Sequence, residues 1–205
     1  MVYWVFGYGS LIFKPPPHAV EQKSGYVKGV VRRFAQSSID HRGTPEAPGR
    51  VVTVIDAREW HHLEGKDIPE GTLLPEDYVW GVAYRIDPDH ETEVKAYMEH
   101  REKNGYTCHF VPVYSTDTNS AEEIRVVDSI LQAEIWIGKL DNPAFIGYEP
   151  KIDLAKIISE RSGPSGLNKD YLYKLAESVR QLYPHVRDDY LFQLEAAVKA
   201  LEPRI

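Results

Sequence analysis

A single cysteine, Cys108, stands in this chain, so it can form neither an intrachain disulfide nor a thiolate metal cluster. No apolar run approaches membrane-spanning length, and no basic segment followed by an apolar one opens the sequence. The simplest expectation is a soluble, cytoplasmic protein that makes no membrane contact. Basic charge is also scarce: 24 Lys and Arg against 31 Asp and Glu leave a formal net charge of −7. Nucleic acid is therefore disfavoured as a partner, because a phosphate backbone is held by clustered Lys and Arg. An anionic ligand must instead meet a local basic site or bared backbone N–H groups. No repeat period connects the segments.

Core-forming residues are plentiful. Of 205 residues 42% are hydrophobic, with 13 tyrosines and 4 tryptophans, enough for one real core and a single domain over 1–205. Apolar and β-branched runs predict strands at 2–6, 27–38, 50–56, 79–86, 108–115 and 133–138. Helical spacing of apolar residues predicts helices over 153–161, from Asn168 as a cap onward, and over 188–201, the last with Tyr190, Leu191, Leu194, Val198 and Leu201 inward. Turn formers make 40–49 a loop, and the polar stretches near 57–78 and 116–132 read as insertions. The expected architecture is mixed α/β (α+β): a curved or barrel-like sheet with one inserted helix and C-terminal helices packed against it.

That inserted helix lies in "DPDHETEVKAYMEHREKNGY", with Asp87 as cap, Pro88 at its first position and Asn104-Gly105 as its stop. Val94, Tyr97 and Met98 form its apolar stripe, and Lys95, Glu99 and Lys103 its solvated face. Arg101 falls on the stripe, as either an ion-paired side chain or a substrate clamp. Glu102 falls on a flank, with no helical cation at i±3 or i±4 and with Glu99 as a like charge. Burial and Glu99 would both raise its pKa towards that of a working general base, although a half-exposed boundary glutamate fits the same spacing.

Near the start, "WVFGYGSLIF" breaks an apolar strand at Gly7-Tyr8-Gly9-Ser10. The segment reads either as a tight turn or as a backbone nest for an anion. It has the spacing of neither the dinucleotide fingerprint nor the P-loop. The adjacent pair His61-His62 reads as surface loop rather than as a zinc site. Asp40-His41-Arg42 reads as a loop held by an Asp–Arg pair. Neither Ser10 nor Cys108 carries the marks of an activated nucleophile.

In order along the chain, "WVFGYGSLIF", "RRFAQSSIDHRGTPEAPGRVVT", "VWGVAYRI", "EVKAYMEHREKNGY", "WIGKLDNPAFIG" and "SGPSGLNKDYLYKLAESVR" resemble the ChaC-like gamma-glutamylcyclotransferases, from about residue 4 to 195. The resemblance implies a cytosolic lyase that converts glutathione to 5-oxoproline and cysteinylglycine with no metal or organic cofactor. It places the catalytic glutamate at Glu102 and the substrate-lining segment at Val5, Phe6, Gly7, Tyr8, Gly9 and Ser10. Glu93 matches a second glutamate that matters in the family, and Arg50 and Tyr171 stand as further candidate substrate contacts. Two alternatives accompany it: ring closure on other γ-glutamyl amines or dipeptides, and a catalytically silent γ-glutamyl-binding module. Ala35 departs from the family, whose members commonly carry Trp there, which alters either packing or a pocket wall.

Overall fold

Five strands close into a barrel in this computed structural model, which describes residues 2–102, 105–116, 126–186 and 188–203. The barrel strands are β1 (Trp4–Gly7), β2 (Ala19–Lys28), β5 (Tyr78–Ile86), β6 (Thr107–Thr116) and β7 (Val126–Ile137), in the order β1-β5-β2-β6-β7. Closure comes from β1, which pairs antiparallel with β5 (Trp4↔Arg85 to Gly7↔Val82) and parallel with β7 at Val5↔Glu134. A separate ribbon joins β3 (Val30–Ser38) and β4 (Gly49–Asp56). The hairpin β8 (Ser162–Gly163) and β9 (Gly166–Leu167) completes the strands. The sheet and the helices described next bear out the mixed α/β architecture read from the sequence.

Helices are α1 (Ala57–Leu63), α2 (Glu91–Arg101), α3 (Lys151–Glu160), α4 (Asn168–Leu182) and α5 (Asp189–Lys199). The α4 stripe of Tyr171, Leu172, Leu175, Ala176 and Val179 is buried throughout and joins Leu154, Ile158, Leu191, Leu194 and Val198 in the main core. Burying each such leucine contributes about 1.5–3 kcal/mol. Of the residues expected inward on α5, Tyr190 is half-buried and packs against this core, whereas Leu201 is exposed. Leu201 lies beyond the end of the helix, where the stripe no longer applies. At the barrel wall Gly25 pairs with Gly81. The Tyr183 hydroxyl ties α4 to this pair: it accepts from the Gly25 N–H at 2.9 Å and donates to the Gly81 carbonyl.

Several local expectations are corrected. The run 27–38 is two strands, split at Gly29, whose φ of 73° turns the chain. The first insertion is not all loop. The Asp56 carboxylate accepts from Arg58 N and Glu59 N at 3.0 and 3.1 Å and starts α1 there. The short helix turns Trp60 and His61 inward, so His61 is 1% exposed rather than at the surface. Ala35 packs in the same small cluster as Trp60; the departure at Ala35 is thus a matter of packing, and the residue does not line the cavity described below. In α2, Val94 and Met98 are buried but Tyr97 is 41% exposed, because its hydroxyl turns outward to meet Arg101 at 3.2 Å. Part of the second expected insertion is strand, since β7 begins at Val126. Residues 117–125 of that insertion, together with Lys103 and Asn104, lie outside the described residues.

Asn168 is a further correction. Leu167 is the N-cap of α4, and Asn168 is its first residue, fully buried. Its Oδ1 accepts from Arg50 N and its Nδ2 donates to Arg50 O, each at 2.7 Å. The asparagine therefore acts as a side-chain rung tying α4 to β4.

Candidate active site

The glycines at and just past the end of β1 are there for space. A Cβ on Gly7 would come 2.6 Å from Leu11 Cβ, and one on Gly9 would come 2.7 Å from Val52 Cγ2 and 3.2 Å from the Tyr171 hydroxyl. Only glycine lets this turn close on itself and lie against β4 and α4 together. A single 3-10 turn, Ser10–Ile12, follows, with Ile12 N–H donating to Gly9 O at 3.0 Å.

Glu102 reaches the same place from the end of α2. It is the C-cap residue, with φ −97° and ψ 24°, and its N–H donates to Met98 O at 2.9 Å. Beyond it Gly105, at φ 80°, reverses the chain so that Tyr106 returns to the cavity; the Gly105 carbonyl accepts from Asn142 Nδ2 at 2.9 Å. Arg101 clamps this terminus to the glycine turn: its Nη2 donates to Ser10 Oγ at 2.8 Å and its Nε lies 3.5 Å from Glu102 Oε1. Arg101 is thus held by ion pairing and hydrogen bonds.

Burial raises the pKa of Glu102, and the Arg101 guanidinium partly offsets that rise. The expected push from Glu99 takes no part, because Glu102 has left helical geometry and the i−3 relation no longer brings the two together. The neutralising cation missed by helical spacing is the adjacent residue. A carboxylate with a raised pKa in a partly desolvated cleft is suited to accept and return a proton.

Between the turn and Glu102 lies a cavity of about 320 Å³. Tyr8, Tyr106 and Tyr171 line it, and burial, reinforced by the Glu102 charge, holds all three phenols well above their ordinary pKa. The Tyr8 hydroxyl donates to Trp136 O at 2.5 Å, and the Tyr106 hydroxyl donates to Val52 O at 2.8 Å. With those protons committed to main-chain carbonyls, the two oxygens offer lone pairs to the cavity. This corner accepts hydrogen bonds, as a ligand ammonium group requires. Cations line the cavity as well: Lys14, Arg42 and Arg101. The Arg42 guanidinium stands 5.7 Å from the Tyr171 ring and donates to Leu167 O at 3.1 Å.

Of the residues singled out from sequence, Phe6, Tyr8, Gly9, Ser10, Glu102 and Tyr171 line this cavity. Val5 and Gly7 are buried behind it. Arg50 is directed elsewhere: its Nε and Nη2 meet the two Glu149 carboxylate oxygens at 2.7 and 2.8 Å. Glu93 is also away from it, 65% exposed and 3.5 Å from His18 Nε2. Nine residues of helical rise separate Glu93 from Glu102, about 13 Å. Sequence reasoning did not assign Tyr106, Trp136, Arg42 or Lys14 to the site. Tyr106, Trp136 and Arg42 do stand in the quoted family-like blocks, which was the available signal; Lys14 does not. Among the described residues, the two groups of side chains with metal-ligand spacing, His18/His90/Glu93 and His61/Glu64/Glu76, both lie off this cavity.

Comparison with known proteins matches residues 3–201 to the family described as ChaC-like protein. A glutathione-specific gamma-glutamylcyclotransferase of Schizosaccharomyces pombe is 43% identical over 186 residues, covering 90% of this chain and 86% of the relative. A protein of the same name from Saccharomyces cerevisiae is 40% identical over 200 residues, covering 87% and 86%. A crystal structure of the gamma-glutamyl cyclotransferase specific to glutathione from yeast superposes with a TM-score of 0.83 at 35% identity, covering 97% of this chain and 96% of that one.

Proposed function

This chain belongs to the ChaC-like family, and from that premise we propose that it is a single-domain, glutathione-specific gamma-glutamylcyclotransferase acting in the cytosol through Glu102. Glutathione enters the cavity with its γ-glutamyl end towards Glu102. Its α-amine attacks the δ-carbonyl carbon of the same residue, the C–N bond to cysteine breaks, and 5-oxoproline and cysteinylglycine leave. Nucleophile and electrophile share one molecule, so the enzyme chiefly holds the chain in a folded, attacking geometry.

The observation that carries this reading is the place of the Glu102 carboxylate, half-buried and lining the cavity that the glycine turn also lines; burial there raises its pKa. The substrate amine arrives as an ammonium and cannot attack until it loses a proton. The α-nitrogen sheds two protons between ammonium and lactam N–H. Glu102 takes each in turn and passes both to the departing cysteinyl nitrogen, which leaves as an ammonium, so proton count balances over the cycle. The oxygens of Tyr8 and Tyr106 receive the remaining N–H bonds of the amine. Backbone amides of the Gly9–Leu11 turn hold the substrate α-carboxylate, and one of them meets the oxyanion of the tetrahedral intermediate. Arg42 and Lys14 balance the carboxylate at the far, glycyl end. No helix among the described residues is long and apolar enough to cross a membrane.

Incubation of the pure protein with reduced glutathione, following 5-oxoproline and cysteinylglycine, tests the reading. Equal release of both is expected, and γ-glutamyl-alanine in competition should be turned over far more slowly. A folded protein that yields neither product would reject the proposal.

The electrostatics of Glu102 give a second expected result. Only the ionised carboxylate can accept the ammonium proton, so kcat/KM falls as pH drops through the raised Glu102 pKa. The acid limb therefore lies above the ordinary glutamate value of about 4.3. Arg101 favours the ionised form, so Arg101→Gln should move the limb to higher pH. Rate profiles of both proteins over about pH 4–9 read this directly. A limb that stays fixed or moves down in the variant would exclude Glu102 as the titrating group.

A further inference from the structure

A second cavity, of about 270 Å³, shares no lining residue with the first; Arg33, Trp60, Glu64, Glu76, Tyr148 and Tyr190 are among its walls. Beside it lies His61, whose side chain is 2% exposed and whose Nε2 stands 2.7 Å from Asp77 Oδ1. An ionised carboxylate only accepts hydrogen bonds, so the imidazole proton sits on Nε2. Nδ1 is then a bare lone pair, fully buried and without a hydrogen-bond partner. It faces two further acceptors, Glu64 Oε2 at 3.6 Å and Glu76 Oε1 at 4.0 Å.

We propose that His61, Glu64 and Glu76 form a binding site for a divalent transition metal, with Zn²⁺ as its natural occupant. The three donor atoms lie within 4.8 Å of one another. Tetrahedral zinc with bonds of about 2.0–2.2 Å places neighbouring ligand atoms about 3.4 Å apart. Glu64 Oε2 at 3.6 Å and Glu76 Oε1 at 4.0 Å therefore need to move only slightly towards His61 Nδ1, and the two carboxylates must draw together once the ion sits between them. Outer partners already orient the ligands. Asp77 fixes the His61 tautomer that exposes Nδ1, and Arg33 Nη2 holds Glu76 Oε2 at 2.8 Å, leaving Oε1 to ligate. Such carboxylate–histidine and hydrogen-bonded carboxylate arrangements are what metal sites use to position their first ligands. One imidazole with two carboxylates suits zinc better than calcium or magnesium, which take oxygen alone, or copper(I), which takes sulfur.

A cation already favours this position. The Lys66 ammonium bridges Glu64 Oε2 at 2.8 Å and Glu76 Oε1 at 3.0 Å, yet leaves His61 Nδ1 unsatisfied. Its side chain is 42% exposed, so it can swing out as the ion enters past Glu64 and Glu76 from the cavity. The ion would join α1 to the segment before β5, on the side of β3 that carries Arg33. It touches nothing in the glutathione cavity, so the proposal stands independently of the reaction.

Chelator-stripped protein titrated with Zn²⁺ against a chromogenic competitor tests it. One equivalent should bind with Kd below about 10 µM at neutral pH, and zinc should raise the melting temperature. His61→Gln should weaken binding at least about tenfold, and so should Glu64→Gln, a milder change at a partly exposed position that keeps the fold testable. Lys66→Met should tighten it by removing the competing ammonium. His18→Gln, in the other cluster, should change nothing. No binding by the folded wild type overturns the proposal, as does binding lost in His18→Gln but retained in Glu64→Gln.

Discussion

Replacing Glu102 by glutamine is expected to lower kcat for glutathione by about 10²–10⁴-fold, the usual worth of a positioned general base. The amide keeps the size and hydrogen-bonding reach of the carboxylate but cannot take the ammonium proton. KM should change far less than kcat, because the contacts assigned to the glycine turn, Arg42 and Lys14 survive. Stability should hold or rise slightly: the carboxylate is buried enough to raise its pKa, with Arg101 only partly offsetting the burial, so the native state loses a desolvation cost along with a charge. Stopped assays of product release, with thermal melts of the same preparations, read both sides of this. Turnover within about tenfold of wild type would place the base elsewhere.

Asn168→Leu is expected to cost about 2–5 kcal/mol of folding stability, although leucine fits the volume and suits a helix. Asn168 is fully buried, and both its polar atoms bond the backbone of Arg50. Leucine leaves the Arg50 N–H and C=O without that partner, in a half-buried residue, and each orphaned group costs about 1–3 kcal/mol. Asn168→Asp keeps the acceptor for Arg50 N but loses the donor to Arg50 O, so it should fall between the two proteins. Equilibrium urea unfolding of the three proteins orders them. A loss under about 1 kcal/mol in the leucine variant would mean that helix packing, rather than the side-chain rung, joins α4 to β4.

The two residues differ in how far sequence could reach them. Glu102 was legible because a helix flank, an unpaired charge and a family-like block agreed on one position. Its neighbourhood was not: helical spacing made Glu99 the relevant charge, whereas the helix ends at Arg101 and the adjacent guanidinium takes that place. Asn168 was read as a cap from local chemistry, while its partner lies 118 residues away. Strands and the α4 stripe followed from periodicity, which is local. Barrel closure, the direction of Arg50 towards Glu149 and the burial of His61 depend on tertiary pairing that no local pattern contains. Arg50 and Glu93 were singled out by position along the chain, and neither reaches the cavity.

The parallel pairing of β1 with β7 has a consequence for the order of events during synthesis. The glycine turn leaves the ribosome first, but its cavity also needs Tyr106, Trp136 and Tyr171. The strand that carries the turn finds its antiparallel neighbour in β5, but its parallel neighbour begins only at Val126. Contacts of such sequence separation form late, after local helices and hairpins. No nascent or truncated chain lacking α4 therefore contains the complete cavity.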